Sequence, residues 1–167
     1  MWLPKTILLV TLTTATASLL QAQTAKVTYY GKTCAFPEPL SVVGLPRLGT
    51  TFQVEAYSSH RIKDSTGMRW LVFGLSDARL GSMALPIEFK HLFAAPFDCG
   101  YLLNSAELML PQPKVRGIPI LTRTPFAVPN QASWLGFTIH VQVFAAFTVF
   151  GPNTRASSRG ARLVVGR

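Results

Sequence analysis

Ser58, Ser59, His60 and Asp64 place a hydroxyl, an imidazole and a carboxylate within seven residues, the three group types of nucleophilic hydrolysis. Triads assemble from separate elements, and the chain carries no Gly-x-Ser-x-Gly elbow, so this stretch reads as a polar loop after a strand. Glycoside cleavage needs two carboxylates about 5 to 9.5 Å apart. The acidic inventory is Glu38, Glu55, Asp64, Asp77, Glu88, Asp98 and Glu107, of which Glu55 and Glu107, both within predicted strands, are the pair that a sheet could bring face to face. Isolated strand carboxylates more often meet solvent or an arginine, which leaves hydrolysis as a third reading. His60, His91 and His140 are far apart and none is paired at helical metal-site spacing. No metal centre and no cofactor is expected, and Asp64-Ser65-Thr66 reads as a turn rather than a calcium site.

Binding without catalysis asks for less: an aromatic platform with a few polar groups around it. Trp134, Trp70, Tyr57 and Tyr101 are the candidates, and Trp134 stands out because it follows the polar loop Pro129 to Ser133. Charge adds a second element. The formal net charge is +9, yet residues 23–110 carry eight bases against seven acids. All of Lys114, Arg116, Arg123, Arg155, Arg159, Arg162 and Arg167 lie beyond the last acid. Asn153 to Gly160 reads as a basic loop leading into the last strand, more naturally an exposed turn, in which Arg155 and Arg159 are the candidates to grip a sulfate or phosphate. Such an excess attracts anionic polymers without sequence preference. The expected partners are an extracellular polysaccharide or an envelope protein, with no specific nucleic acid.

Residues 1–22 read as a secretory signal peptide: Lys5, an apolar core beginning at Ile7 to Leu12, and a cleavage point after Ala22. A span of roughly 20 apolar residues is what a membrane helix requires, and this Thr-rich run falls short, so no transmembrane segment is expected after cleavage. The expected location is secreted, extracellular or periplasmic. In that setting Cys34 and Cys99, the two cysteines, are expected to form a disulfide. Closing so long a loop would restrict the unfolded chain by roughly 4 kcal/mol.

Residues 23–167 suffice for one domain. The strongest periodic pattern is Leu135 to Val149, apolar at every odd position, which predicts a strand. His140 and Gln142 fall on the intervening positions and read as a half-exposed face. About 50 Å of continuous strand is too long, so a bend near Ala145-Ala146 is expected to split it or carry it between sheets. Further strands are predicted over Lys26 to Tyr30, Thr50 to Tyr57, Arg69 to Leu75, Cys99 to Leu110, Pro119 to Thr122 and Ala161 to Val165. Leu85 to Phe93 is predicted as one short helix entered at Pro86. Short strands separated by Gly- and Pro-rich turns indicate an all-β, single antiparallel β-sandwich, jelly-roll-like. A transmembrane β-barrel is disfavoured by uneven spacing and interrupting prolines.

Gly44-Leu45-Pro46 with Gly49, Phe73-Gly74-Leu75-Ser76, Leu85-Pro86, Cys99, Gly136-Phe137 with Gln142, and Arg162 to Gly166 together resemble a small β module of secreted proteins from environmental bacteria. The resemblance implies a β-sandwich and export, and it carries no catalytic residue, since that family has no established activity. Apolar residues are 49% of the chain and charged ones 14%, against roughly 25% charged in ordinary soluble domains. A weakly charged chain with no assembled catalytic motif is expected to be a secreted, non-catalytic β-sandwich with a structural, surface-attachment or macromolecular-interaction role. A carbohydrate or anionic-polymer binding module is the alternative.

Overall fold

A computed structural model describes residues 23–33, 40–58, 66–88, 100–112, 120–148 and 153–167. The signal-peptide reading, both cysteines, His60, His91 and Asp64 lie outside them. Twelve strands occur among the described residues. Five form one antiparallel sheet in the order β1 (Lys26–Tyr30), β12 (Asn153–Val164), β11 (Thr138–Thr148), β4 (Thr66–Gly74) and β9 (Leu108–Gln112). Three form a second, in the order β10 (Ile120–Ala127), β3 (Thr51–Ser58) and β2 (Leu40–Val43). The two sheets pack face to face as an all-β sandwich, and the described edges β1, β9, β2 and β10 are not paired into a closed barrel.

Alternation sets which face each strand buries. In β3, Phe52, Val54 and Ala56 point inward while Thr51 and Tyr57 meet solvent. They meet Leu71 and Phe73 of β4, Val141 and Val143 of β11, and Ala161 and Leu163 of β12 in one continuous core. Leu40 of β2 seals one side and Phe126 of β10 packs from the other. Phe126 stands between the sheets, with ring centroids 5.6 Å from Phe52 and 4.9 Å from Phe73. Burying a Leu or Phe of this kind stabilises the fold by about 1.5–3 kcal/mol.

The long apolar run differs from expectation. It forms a single eleven-residue strand, Thr138–Thr148, within one sheet. Length is accommodated by a register shift between Gln142 and Phe144, which oppose Gly160 and Ser157. The extra residue therefore sits in β12, a bulge that adds local twist three residues before the predicted bend.

The described residues of the crossover between β4 and β9 lie against the outer face of the five-stranded sheet through Tyr101, Leu103 and Asn104. They contain two short pieces of ladder: β5 (Arg79–Leu80) with β6 (Met83–Ala84), and β7 (Ile87–Glu88) with β8 (Tyr101–Leu102). No helix starts at Pro86. The Leu85-Pro86 peptide is cis and leads into the extended residues Ile87 and Glu88, and residues 89–93 of the predicted helix are outside the described set. The helical structure among the described residues is one 3-10 turn, Ala132–Trp134.

Candidate functional site

Gln142 and His140, predicted to be half-exposed, are buried at 0% and 3% exposure. The crossover between β4 and β9 covers them, and a covered strand face must either be apolar or hydrogen-bond to whatever lies on it. Gln142 takes the second course. Its Oε1 accepts from the Leu103 amide at 3.0 Å, and its Nε2 donates to the Tyr101 carbonyl at 2.6 Å and the Ser158 carbonyl at 3.0 Å. Asn104, also fully buried, donates from Nδ2 to the Val72 carbonyl at 3.1 Å and accepts the Ala106 amide at 3.2 Å. Ser157 accepts the Tyr101 amide at 2.9 Å. Two side-chain amides and a hydroxyl thus supply what a neighbouring strand would.

The crossover comes very close to the sheet at Gly74. A Cβ there would stand 2.7 Å from the Ser105 nitrogen and 2.8 Å from the Asn104 Cβ. Beside it the Ser105 hydroxyl accepts the amides of Leu75 at 3.0 Å and Ser76 at 2.9 Å and donates to Glu107 Oε2 at 2.6 Å. Leu75 N–H reaches the same carboxylate oxygen at 2.8 Å. Ala106, at φ 55, turns the chain so that Ser105 and Glu107 converge.

A cluster of ionisable groups lies along the same face. Tyr30 packs edge-on against the His140 ring at 5.6 Å and donates to the Leu103 carbonyl at 3.2 Å. The Tyr30 oxygen also lies 3.2 Å from His140 Nδ1. His140 Nε2 lies 4.0 Å from Asp77 Oδ1. Burial pushes the His140 pKa down and outweighs the opposing pull of Asp77, so the ring is neutral. Burial pushes the Tyr30 phenol up, reinforced by the Asp77 charge. For Asp77, burial acts upward and is overcome chiefly by the Arg162 hydrogen bond together with the Arg162 charge, giving a lowered pKa. Asp77 is ion-paired with Arg162. Glu107 follows the same pattern: burial acts upward, and hydrogen bonds from Ser105 and the Leu75 backbone bring it down.

These groups hold one another and the crossover. A Ser, a His and two carboxylates are present, but Ser105 Oγ is committed to two amides and Glu107, and His140 bonds to Tyr30. Glu55 and Glu107 do not face one another, and Glu55 meets an arginine, the more usual fate of a strand carboxylate. Glu55 lies on the other sheet, accepting from Ser41 at 2.9 Å and from Arg123 at 2.8 Å, and the Arg123 hydrogen bond, with that of Ser41, holds its carboxyl low. Among the described residues no three His, Cys, Asp or Glu side chains come together to hold a metal.

The aromatic candidates are dispersed. Trp70 is on the outer face of the five-stranded sheet, 5.3 Å from the Phe144 ring. Tyr101 is in β8, its backbone tied to Gln142 and Ser157. Arg159 lies 3.9 Å above the Tyr29 ring, about 20 Å along β12 from Val165 at the strand rise of 3.3 Å per residue. Arg155 belongs to β12, with its side chain outside the described set. Trp134 is half-buried, edge-on to Phe137 at 4.9 Å, whereas Arg159 is midway along β12. Trp70, Tyr101, Arg159 and Trp134 do not share one groove.

Trp134 does belong to a concavity. Where β4, β10 and β11 meet at one end of the sandwich, the sheets part to leave a cleft of about 400 Å³. Phe52, Phe73, Phe126, Ile139, Leu163 and Val165 form its depth, and Trp134 forms part of its wall. Leu75, Leu108 and Phe137 stand around it at 58%, 51% and 39% exposure. Glu107 is the one charged residue in the lining among the described residues. Sequence reasoning identified Trp134 but not its partners, because they alternate as ordinary core residues along five separate segments. No family model, curated protein or solved structure matches this chain.

Proposed function

We propose that this protein is an exported, non-catalytic β-sandwich whose role is to hold or bind another molecule, in an extracellular or periplasmic setting. The observation that supports this reading is the employment of its reactive side chains. His140, Asp77, Ser105 and Glu107 are all engaged in fastening the crossover to the sheet. A general base must reach a substrate proton within about 2.6–3.2 Å, and His140 at 3% exposure reaches only its own neighbours. The low share of charged residues and the exposed apolar side chains suit a protein that works against a partner.

The test is turnover by the purified protein of ester, glycoside and peptide substrates, with Asp77→Asn and His140→Asn as controls. No turnover above the variants is expected. Hydrolysis by the wild type that both substitutions abolish while the fold persists would overturn the reading.

A further inference from the structure

The cleft at the end of the sandwich differs from the polar face in having almost nothing to hydrogen-bond with. Its depth is aromatic and aliphatic, and Glu107 at the rim is its single charge among the described residues. Volume limits what fits. A cavity of about 150 Å³ lined by Leu, Ile and Phe accepts one benzene ring, and specific small-molecule sites start at about 300 Å³. At about 400 Å³ the cleft has room for one alkyl chain or a small fused ring. Exposed Leu75, Leu108 and Phe137 extend the apolar surface outward from it, so that one end of an occupant leaves the cleft between these side chains and Glu107.

Going beyond the non-catalytic role proposed above, we propose that this cleft binds a small amphiphile: a single hydrocarbon group inserted between the sheets, with a hydrogen-bond donor, ammonium or hydroxyl, at the end facing Glu107. The carboxylate is fixed in place by the Leu75 amide and the Ser105 hydroxyl, both on Oε2. A carboxylate offers about four lone-pair sites, so capacity remains for a donor from the ligand. A charge-assisted bond of this kind is roughly twice as strong as a neutral one. An anionic headgroup would meet like charge at the rim. Selectivity therefore runs against the overall charge of +9, which on long-range grounds favours anions.

The experiment is calorimetric titration of the purified protein with octylamine, 1-octanol and octanoate, three heads on one chain. Saturable one-to-one binding is expected, with octylamine about tenfold tighter than octanoate, the factor that 1.4 kcal/mol represents. Glu107→Gln keeps a side-chain carbonyl for the Leu75 and Ser105 hydrogen bonds and is expected to bring the three ligands within about twofold of one another, the charge-assisted advantage being lost. Ile139→Trp, which places a bulky ring in the cleft, is expected to abolish binding, with urea unfolding confirming that it folds. Absence of saturable binding to any of the three overturns the proposal, including the case in which sedimentation shows the cleft side closed by a second copy. Octanoate binding as tightly as octylamine, a preference unchanged in Glu107→Gln, or binding retained by folded Ile139→Trp overturns it as well. None of these results bears on substrate turnover, which separately decides the non-catalytic reading.

Discussion

Replacing Gln142 by Leu removes an amide but little volume, and so isolates the polar contribution of a core position. In the wild type the side chain satisfies the Leu103 amide, the Tyr101 carbonyl and the Ser158 carbonyl. Each buried backbone group left without a partner costs about 1–3 kcal/mol. Three such groups give a gross loss of about 3–6 kcal/mol at moderate values within that range, because carbonyls with a second lone pair suffer less. The leucine returns about 1.5 kcal/mol through its own burial. A net destabilisation of about 2–4 kcal/mol is expected, a large part of a total typically about 5–15 kcal/mol. With a urea slope of about 2 kcal/mol per M, the unfolding midpoint should fall by about 1–2 M. Two of the three bonds go to residues 101 and 103, so limited proteolysis should also cut the crossover faster than in the wild type. A midpoint shift below about 0.5 M with unchanged proteolysis would refute the argument that Gln142 anchors this segment.

Acid should weaken the fold in two stages. His140, Asp77, Glu107 and Glu55 all have folded pKa values below their ordinary 6.5, 3.8, 4.5 and 4.5. The unfolded chain therefore binds protons first as pH falls, and the stabilisation is complete above each ordinary value and lost progressively below it. Unfolding midpoints measured from pH 8 to 3 should begin to fall near 6.5 and fall more steeply below 4.5, and His140→Asn should remove the first stage while keeping the second. Gly74→Ala tests the close approach of the crossover: a Cβ 2.7 Å from the Ser105 nitrogen forces a backbone shift, with an expected cost of about 1–3 kcal/mol in urea unfolding. An unchanged midpoint would mean that the segment is not seated there.

Much of the sandwich was legible because its two-residue period is a direct consequence of strand geometry. β1 coincides with its prediction, and β3 and β4 follow theirs within a few residues. The segment from Cys99 to Leu110 was read as continuous strand but breaks into β8 and β9 around Leu103 to Glu107. Those residues pair with side chains rather than with a backbone ladder, and hydropathy does not distinguish the two. The same cause explains Gln142 and His140. A polar residue opposite an apolar one looks solvated in sequence, and only the crossover on top of it shows that it is a buried partner. The β2 strand, Leu40–Val43, was not predicted because it is only four residues long and sits between Pro39 and Gly44.

The two faces of the five-stranded sheet thus serve different ends, and Glu107 joins them. Its Oε2 holds Leu75 and Ser105, which fixes the first turn of the crossover. Leu75 and Glu107 are also part of the cleft lining. The rim of the cleft is therefore no freer than the fastening of the crossover. Protonating Glu107 would withdraw one acceptor from the Leu75 amide while neutralising the charge it places at the cleft. For an amphiphile with an ammonium head, binding and seating of the crossover then weaken together as pH falls through the lowered pKa of Glu107, whereas an alcohol, which can still hydrogen-bond to a neutral carboxyl, follows the seating alone. The difference between the two heads across that pH range measures how far the charge, as opposed to the shape, of the rim selects what enters.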